Sequence, residues 1–277
     1  MVMSIAPWST CPAHRLRGVV GVLTDIDDTL TRDGAIEATA LAALKRLALA
    51  HLPVIAITGR PMGWSEPFAR DWPVAAIVAE NGAVALFREA GELRIEYAQD
   101  VRTRERNALR LREAADAVQR EIPQARLATD SAGRATDIAI DHSEYAHLDP
   151  GDVERVVEIL RANGMNATVS SIHINGWFGE HHKLSGARWI VHRLLGRDLD
   201  AEVGRWVYIG DSTNDQLMFG HFELSVGVAN LMRFESHLLT WPAYLTAGER
   251  GAGFAEVADA LIAAQARQGA TANPTGT

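Results

Sequence analysis

Two short clusters of acidic residues stand out because each directly follows an apolar segment of strand length. The first, 25–29 (DIDDT), follows the run GVVGVLT at 18–24, and the second is 210–215 (GDSTND). Residues two apart in an extended segment point the same way, so Asp25 and Asp27 are predicted to converge on one ion. Two carboxylates at such a short separation repel each other unless a cation or a shared proton relieves the repulsion. Because the cluster offers only oxygen ligands, it favours Mg²⁺.

The first acidic cluster has two competing interpretations, an acidic turn and a calcium-binding EF-hand loop. Asp25, Asp27 and Thr29 fit the first, third and fifth positions of such a loop. The loop also requires glycine at its sixth position and glutamate at its twelfth, where this chain has Leu30 and Ile36. These mismatches exclude the calcium loop, whereas the acidic turn stays open for the cluster taken alone.

A threonine–glycine turn and a lysine add chemistry that suits a phosphoryl group. Thr58 supplies a hydroxyl after the apolar segment 53–57, and Gly59, which lacks a Cβ, lets backbone N–H groups approach a phosphate closely. Lys183 supplies a positive charge at the start of a predicted helix. Ser212 lacks the G-x-S-x-G surroundings of a serine hydrolase. Phosphoryl transfer depends mostly on positioning and charge neutralisation, so the four features together predict a site for Mg²⁺ and a phosphoryl group.

The elements that position these residues form an α/β pattern that a different pattern interrupts. Strands and helices alternate before residue 84 and again after residue 182, as in a parallel sheet covered by helices. Such sheets place their sites at the carboxyl ends of the strands, so the four features are expected at one edge. The predicted helices are 36–50, 102–120, 150–162, 184–195, 216–222 and 254–266, and the predicted strands are 18–24, 53–57, 75–78, 83–88, 93–97, 135–140, 167–174, 205–209 and 224–228.

The change of pattern predicts how the chain divides into domains. A hairpin, two helices and alternating strands at 84–182 indicate an inserted α+β domain. We therefore predict a core domain from 1–83 and 183–267. The segment 268–277 is small, polar and rich in glycine and threonine, which predicts a disordered tail.

The order of these motifs resembles the haloacid dehalogenase (HAD) superfamily of hydrolases. Segment 25–30 (DIDDTL) is similar to its first motif, Thr58 to its second, Lys183 to its third and 210–215 to its fourth. The insert between the second and third motifs resembles the cap of the type IIB, Cof-like branch. That branch includes sucrose-phosphate phosphatase, mannosyl-phosphoglycerate phosphatase and phosphomannomutase. The resemblance implies a Rossmann-like parallel-sheet core with an inserted α+β C2-type cap.

The resemblance also implies a role for the residues that meet the phosphoryl group. Asp25 is implied as the nucleophile that forms an aspartyl-phosphate. Asp27 is implied as the general acid that protonates the leaving oxygen and then as the base that activates water. Thr58, Gly59 and Lys183 are implied to hold the transferring phosphoryl group.

A second set of roles concerns the cofactor that the resemblance implies, which is Mg²⁺. The ion is implied to lie between the carboxylate of Asp25, the backbone carbonyl of Asp27 and Asp211. Asn214 and Asp215 are implied to order these ligands or the lysine. This assignment agrees with the chemistry, because Mg²⁺ offsets charge that would otherwise repel a carboxylate nucleophile.

The sequence indicates a function but leaves the substrate open. The resemblance implies a phosphatase for a small phosphorylated metabolite, most plausibly a sugar phosphate. A phosphomutase is the alternative, but it needs a strongly cationic cap, and the predicted strands of the insert offer only Arg134 as a clear candidate. A non-catalytic binding protein is a third reading, which the intact motif residues disfavour. The candidate substrate contacts are Arg60, Asn81, Arg134 and His173, and ordinary structural positions are the alternative for each.

Composition limits the partners and the location of the protein. The formal net charge of −8 disfavours nucleic acid or an anionic membrane as the main partner. No stretch approaches the roughly 20 apolar residues that span a bilayer, and no signal peptide is recognised. The single cysteine, Cys11, cannot form an intramolecular disulfide, which suits a reducing compartment. We expect a cytoplasmic protein, and the oligomeric state is left open.

Overall fold

A nine-stranded, mostly parallel sheet forms the centre of the protein. The computed structural model describes residues 5–271. The strands are β1 Ala6–Pro7, β2 Gly21–Thr24, β3 Thr31–Arg32, β4 Ala35–Ile36, β5 Val54–Ile57, β6 Ala76–Ala79, β7 Val84–Glu89, β8 Glu92–Tyr97, β9 Arg126–Leu127, β10 Asp137–Asp141, β11 Asn166–Val169, β12 His173–Trp177, β13 Trp206–Gly210, β14 Leu224–Gly227 and β15 Tyr244–Leu245. The helices are α1 Ala13–Arg17, α2 Ala38–Leu49, α3 Met62–Asp71, α4 Val101–Glu121, α5 Pro150–Ala162, α6 Lys183–Leu195, α7 Gln216–His221 and α8 Arg250–Thr271.

The strand order of the main sheet brings the acidic segments to one edge. The order is β1-β15-β14-β13-β2-β5-β6-β7-β8. Neighbouring strands from β1 to β6 in this order run parallel, and β7 and β8 pair antiparallel. Because β2 lies between β13 and β5, the segments that follow these three strands leave the same edge of the sheet.

Both faces of the main sheet are covered, which explains why its central strands are continuously apolar. All four residues of β2 are buried. Val22 packs into one hydrophobic core with Leu44 and Phe254, whereas Leu23 packs into the opposite core with Ile190. A central parallel strand therefore reads as an unbroken apolar run rather than as an alternating one.

The insert has its own sheet and its own hydrophobic core. Its four antiparallel strands lie in the order β11-β12-β10-β9, and α4 and α5 pack against them. Leu111 and Val156 of the helices share a core with Ile140 and Ile174 of the strands. Helix α5 begins with the side chain of Asp149 accepting a hydrogen bond from a backbone N–H. The inserted α+β unit that the sequence predicts is therefore present.

The hairpin of β7 and β8 belongs to the main sheet, which corrects its predicted place in the insert. Strand β7 pairs antiparallel with β6, with Val84 opposite Ala79. Its buried residues Leu86 and Phe87 extend the two cores of the main sheet, one on each face. By sheet membership the insert comprises 98–182 rather than 84–182, and the exact domain bounds stay a prediction.

The single strand predicted at 167–174 is two strands, β11 and β12, joined by a turn. Ser170 closes the turn, because its backbone N–H donates to the carbonyl of His173 at 2.8 Å. Apolar and polar residues alternate through the sequence of both strands. No glycine or proline marks the turn between them, so the sequence pattern continues through it. The turn reverses the chain and makes β12 the partner of β10.

The last helix is longer than the sequence predicts. Helix α8 extends to Thr271, so the first four residues of the predicted tail at 268–277 are helical. Residues 272–277 lie outside the described part of the chain. Among residues 5–271, none of the helices combines the length and the apolar character that a membrane span requires.

Candidate active site

The segments that follow β2, β5 and β13 place the predicted motif residues side by side. Asp25 follows β2, Thr58 follows β5 and Asp211 follows β13. Backbone hydrogen bonds continue past the strand ends, since the N–H of Asp25 donates to the carbonyl of Ile209 at 2.8 Å. The sheet itself therefore fixes the relative positions of these residues.

Lys183, the first residue of α6, lies at the centre of the site and is 3% exposed. Its Nζ donates to Oδ1 of Asp25 at 2.5 Å, to Oδ1 of Asp215 at 2.7 Å and to Oδ1 of Asn214 at 3.4 Å. An ammonium group has three donors, and all three are used. Burial disfavours the charged form, but the carboxylates of Asp215 and Asp25 raise the pKa of Lys183 above its ordinary value. The lysine is therefore a fixed positive charge beside Asp25.

Three carboxylates converge beside Lys183. Their combined negative charge exceeds the single positive charge of the lysine. One oxygen each of Asp25, Asp211 and Asp215 lies within 4.8 Å of the others. Burial raises the pKa of Asp25 well above its usual range, and Asp215 and Asp27 add to that effect while Lys183 opposes it. Burial and the charge of Asp25 likewise raise the pKa of Asp211. A divalent cation would relieve this repulsion.

The oxygens of the cluster differ in whether they already have partners. Both oxygens of Asp215 are used, since Oδ1 accepts from Lys183 and from the hydroxyl of Tyr208, and Oδ2 accepts from two backbone N–H groups. Oδ1 of Asp211 is buried without any partner. Buried polar atoms are rarely left unpaired, so this oxygen fits a metal ligand. Asp25 and Asp211 therefore suit Mg²⁺, and Asp215 instead orders the loop around them.

The carboxylate of Asp27 is not one of these three clustered groups, and its predicted convergence with Asp25 on one ion stays a prediction. This carboxylate accepts from Nε of Arg60 at 2.9 Å, and the hydroxyl of Thr58 lies 3.5 Å from its second oxygen. Arg60 is 3% exposed, and its backbone N–H donates to the hydroxyl of Thr58 at 3.0 Å. The Asp27 side chain is therefore engaged by Arg60 and Thr58 and is not one of the three clustered carboxylates.

The four candidate substrate contacts fall into two groups. Arg60 and Asn81 line cavities, and Nδ2 of Asn81 is buried without a partner. The buried guanidinium of Arg134 donates to Asp137 at 2.8 Å and to the carbonyl of Gly59 at 3.0 Å. The ring of His173 is likewise buried and meets a carboxylate of the insert at 2.9 Å. Arg134 therefore contacts both the insert and the core, His173 contacts the insert, and a role of either residue toward substrate stays a prediction.

Comparison with known families agrees with this geometry. The sequence of residues 22–105 matches the model of a family described as haloacid dehalogenase-like hydrolase. That range contains Asp25, Asp27 and Thr58, and the fold brings Lys183 and Asp211 to the same edge. Residues 22–105 are therefore similar to the haloacid dehalogenase-like hydrolases. No curated protein matches the sequence of the chain.

Several solved structures share the fold of this chain along most of its length. A protein of Thermoplasma acidophilum has a TM-score of 0.67 at 17% identity, covering 88% of this chain and 98% of its own. A HAD/COF-like hydrolase from Plasmodium vivax has a TM-score of 0.65 at 14% identity, covering 91% and 99%. The sucrose-phosphatase of Synechocystis sp. PCC6803, solved with sucrose and phosphate, has a TM-score of 0.62 at 15% identity, covering 88% and 98%. At such identities the likeness establishes the fold, which includes both the core and the insert.

An open cavity of about 450 Å³ lies between the core and the insert. Asp27, Asp28 and Asp211 line it from the core, and Glu144 and Tyr145 line it from the insert. A leaving group bound there would contact both parts of the chain. At this position, the insert would contribute to the choice of substrate.

Glu80 joins the insert to the core, a structural role that the sequence does not indicate because the residue lies in a predicted turn. It is fully buried, and its carboxylate accepts from backbone N–H groups of Met62 in the core and of Ala135 and Thr136 in the insert, at 2.6 to 3.0 Å. Its φ of +50° is unusual for a glutamate. The turn also requires glycine at Gly82, where a Cβ would lie 2.3 Å from a backbone carbonyl of the segment before α6. Glu80 therefore ties the insert to the core.

Proposed function

We propose that the protein is a Mg²⁺-dependent phosphatase that hydrolyses a small phosphorylated metabolite through an aspartyl-phosphate on Asp25. The observation that carries this proposal is the clustering of Asp25, which a buried lysine contacts, with Asp211, whose Oδ1 has no partner. Asp25, Asp211 and the backbone carbonyl of Asp27 would hold Mg²⁺, which supplies charge neutralisation for the phosphoryl group and the attacking carboxylate.

The residues of the chain divide the reaction into two steps. In the first, a carboxylate oxygen of Asp25 attacks phosphorus, the bond to the leaving oxygen breaks, and Asp27 gives that oxygen a proton. In the second, Asp27 takes a proton from water, which attacks the phosphoryl group and releases Asp25 and inorganic phosphate. Lys183 stabilises negative charge on the phosphoryl oxygens throughout, and the hydroxyl of Thr58 is positioned to donate to one of them.

The charges around the cavity favour an uncharged leaving group over a second anion. Each arginine that lines it is paired with a carboxylate: Arg60 with Asp27, Arg250 with Asp28 at 2.6 Å, and Arg233 with a surface glutamate at 3.4 Å. A phosphomutase needs free cations for a distal phosphate, and these arginines do not supply one. A sugar or another polyol fits better, and the shared fold with the sucrose-phosphatase supports a sugar phosphate. The net charge of −8 disfavours nucleic acid or an anionic membrane as the partner.

A panel of phosphorylated metabolites tests the proposed function. We expect inorganic phosphate to be released from sugar phosphates with Mg²⁺ and not after chelation with EDTA. Interconversion of hexose 1- and 6-phosphates with a bisphosphate activator would instead identify a mutase. Absence of both activities across the panel would favour a binding protein.

Mg²⁺ is expected to raise the thermal stability of the wild type, because it relieves the repulsion between Asp25 and Asp211. At a concentration 100 times its dissociation constant, a ligand that binds only the folded state stabilises it by about 2.7 kcal/mol. Asp211→Asn should lose most of the melting-temperature shift that scanning fluorimetry records between EDTA and MgCl₂. Asp33→Asn, at an exposed acid beside the same cavity, is the matched control and should keep the shift. An equal shift in both variants would contradict the proposed metal site.

A further inference from the structure

The guanidinium of Arg60 is shared between the core and the insert. Nε donates to Asp27 of the core at 2.9 Å. Nη2 donates to Glu144 of the insert at 2.7 Å, and Nη1 donates to Asp130 of the insert at 3.2 Å. The side chain of Arg60 is 4% exposed, so these contacts are largely shielded from water. One buried cation therefore joins the proposed acid–base residue to two carboxylates of the insert.

Glu144 is held firmly by the insert itself. Its backbone N–H donates to the buried carboxylate of Asp141 at 2.8 Å, as part of a turn in which that carboxylate accepts from four consecutive backbone N–H groups. Its second oxygen meets Nε2 of His173 at 2.9 Å. Burial alone would raise the pKa of Glu144, but His173 and Arg60 lower it to about 2. The carboxylate is therefore a rigid, charged part of the insert.

Asp27 depends on Arg60 for its orientation. Within residues 5–267, the hydrogen bonds to its carboxylate come from Arg60 and, at 3.5 Å, from Thr58. The guanidinium of Arg60 lies 5.0 Å from the ring centre of Trp64, which limits its movement on one side. On the other side, the contacts with Asp130 and Glu144 of the insert limit the movement of the guanidinium. Arg60 thus transmits the position of the insert to Asp27.

We propose that Glu144 is a positioning residue that fixes Asp27 through Arg60, so that the general acid is correctly placed only when the insert lies against the core. This inference rests on the proposed function. Proton transfer needs the donor within about 3 Å of the leaving oxygen. A displacement of about 1 Å costs on the order of 100-fold in rate. The contact through Arg60 therefore couples the placement of the acid to the docking of the insert on the core.

The test compares two phosphate esters of similar size that differ in their need for a general acid. Benzyl phosphate has a poor leaving group and needs protonation, whereas p-nitrophenyl phosphate has a good one and does not. Glu144→Gln should lower kcat/KM for benzyl phosphate by about tenfold or more and change that for p-nitrophenyl phosphate by less than about twofold. Glu154→Gln, the same change on an exposed face of the insert, should leave both values unchanged.

Two further variants show whether the effect passes through Arg60. Arg60→Lys keeps the positive charge but cannot contact Asp27 and Glu144 at the same time with the planar geometry of a guanidinium. It should show the same selective loss of kcat/KM for benzyl phosphate. The double variant should lose no more than Arg60→Lys alone, because both changes interrupt one chain of contacts. If Glu144→Gln does not fold, Arg60→Lys carries the comparison by itself.

Three results would overturn the inference or its basis, and they are distinguishable. Equal losses for both esters would show that Glu144 acts only on binding or folding. Equal behaviour of Glu144→Gln and Glu154→Gln would show that Glu144 has no role. If the wild type releases no phosphate from either ester or from the metabolite panel, the proposed function fails and takes the inference with it.

Discussion

Replacing Asp25 by asparagine is expected to abolish phosphate release while leaving the protein folded. The amide cannot attack phosphorus to form the acyl phosphate, and losses on the order of 10⁴-fold or more are typical when a nucleophile is removed. Asparagine has nearly the same shape, and its Oδ1 can still accept the hydrogen bond from Lys183 that the carboxylate accepts at 2.5 Å. The measurement is Mg²⁺-dependent phosphate release on the best substrate of the panel.

The stability of this variant separates catalysis from folding. Burial raises the folded-state pKa of Asp25, so ionisation at neutral pH costs folding free energy, and this cost is relieved as the pH falls. Removing the charge should therefore leave the melting temperature in EDTA unchanged or higher. Asp116→Asn, at an exposed acid of α4 that does not line the cavity, serves as the control with normal turnover and normal melting. Turnover by Asp25→Asn near the wild-type rate would show that another group is the nucleophile.

The core of the site was predictable because it depends on local sequence and one general rule. Apolar runs such as 18–24 predict central strands, and a strand of a parallel sheet ends at the edge where sites form. Asp25, Thr58 and Asp211 each follow such a run directly, so their meeting requires only the correct strand order. Lys183 was predictable from its place at the start of a helix.

The connection between core and insert was not predictable, because it depends on pairs that are distant in sequence. Arg60 and Glu144 are 84 residues apart, and nothing near either residue indicates the other. Arg134 looked like a free cation on a strand, yet its partners include Gly59 across the domain junction. Charged residues in an insert are therefore ambiguous in sequence until the docking of the insert is known.

The hairpin of β7 and β8 shows why the domain boundary was placed too early. Its alternating pattern is typical of an antiparallel strand pair wherever that pair lies. Only the pairing of Val84 with Ala79 assigns it to the main sheet, and that pairing is tertiary information. The sequence pattern therefore predicted the hairpin correctly but assigned it to the insert instead of the main sheet.

Replacing Lys183 by methionine is expected to lower the free energy of unfolding by about 3–5 kcal/mol at neutral pH in EDTA, since breaking a buried ion pair leaves uncompensated charge. Lys183 is the cation that both Asp25 and Asp215 contact, at 2.5 and 2.7 Å, and these carboxylates are buried. Methionine fills a similar volume without charge, so the loss reports the electrostatics rather than a cavity. Urea unfolding followed by circular dichroism measures it.

The chain contains one other lysine, Lys45, which lies exposed on α2 and provides the matched control. Lys45→Met should change the unfolding free energy by less than about 0.5 kcal/mol, as surface substitutions usually do. The deficit of Lys183→Met should also shrink between pH 7 and pH 5, because protonation removes the charge that the lysine no longer balances. Burial already raises the pKa of Asp25, so this carboxylate takes up a proton at a higher pH than an ordinary aspartate does. Equal losses for the two lysines, or a deficit that does not change with pH, would mean that Lys183 does not neutralise the site.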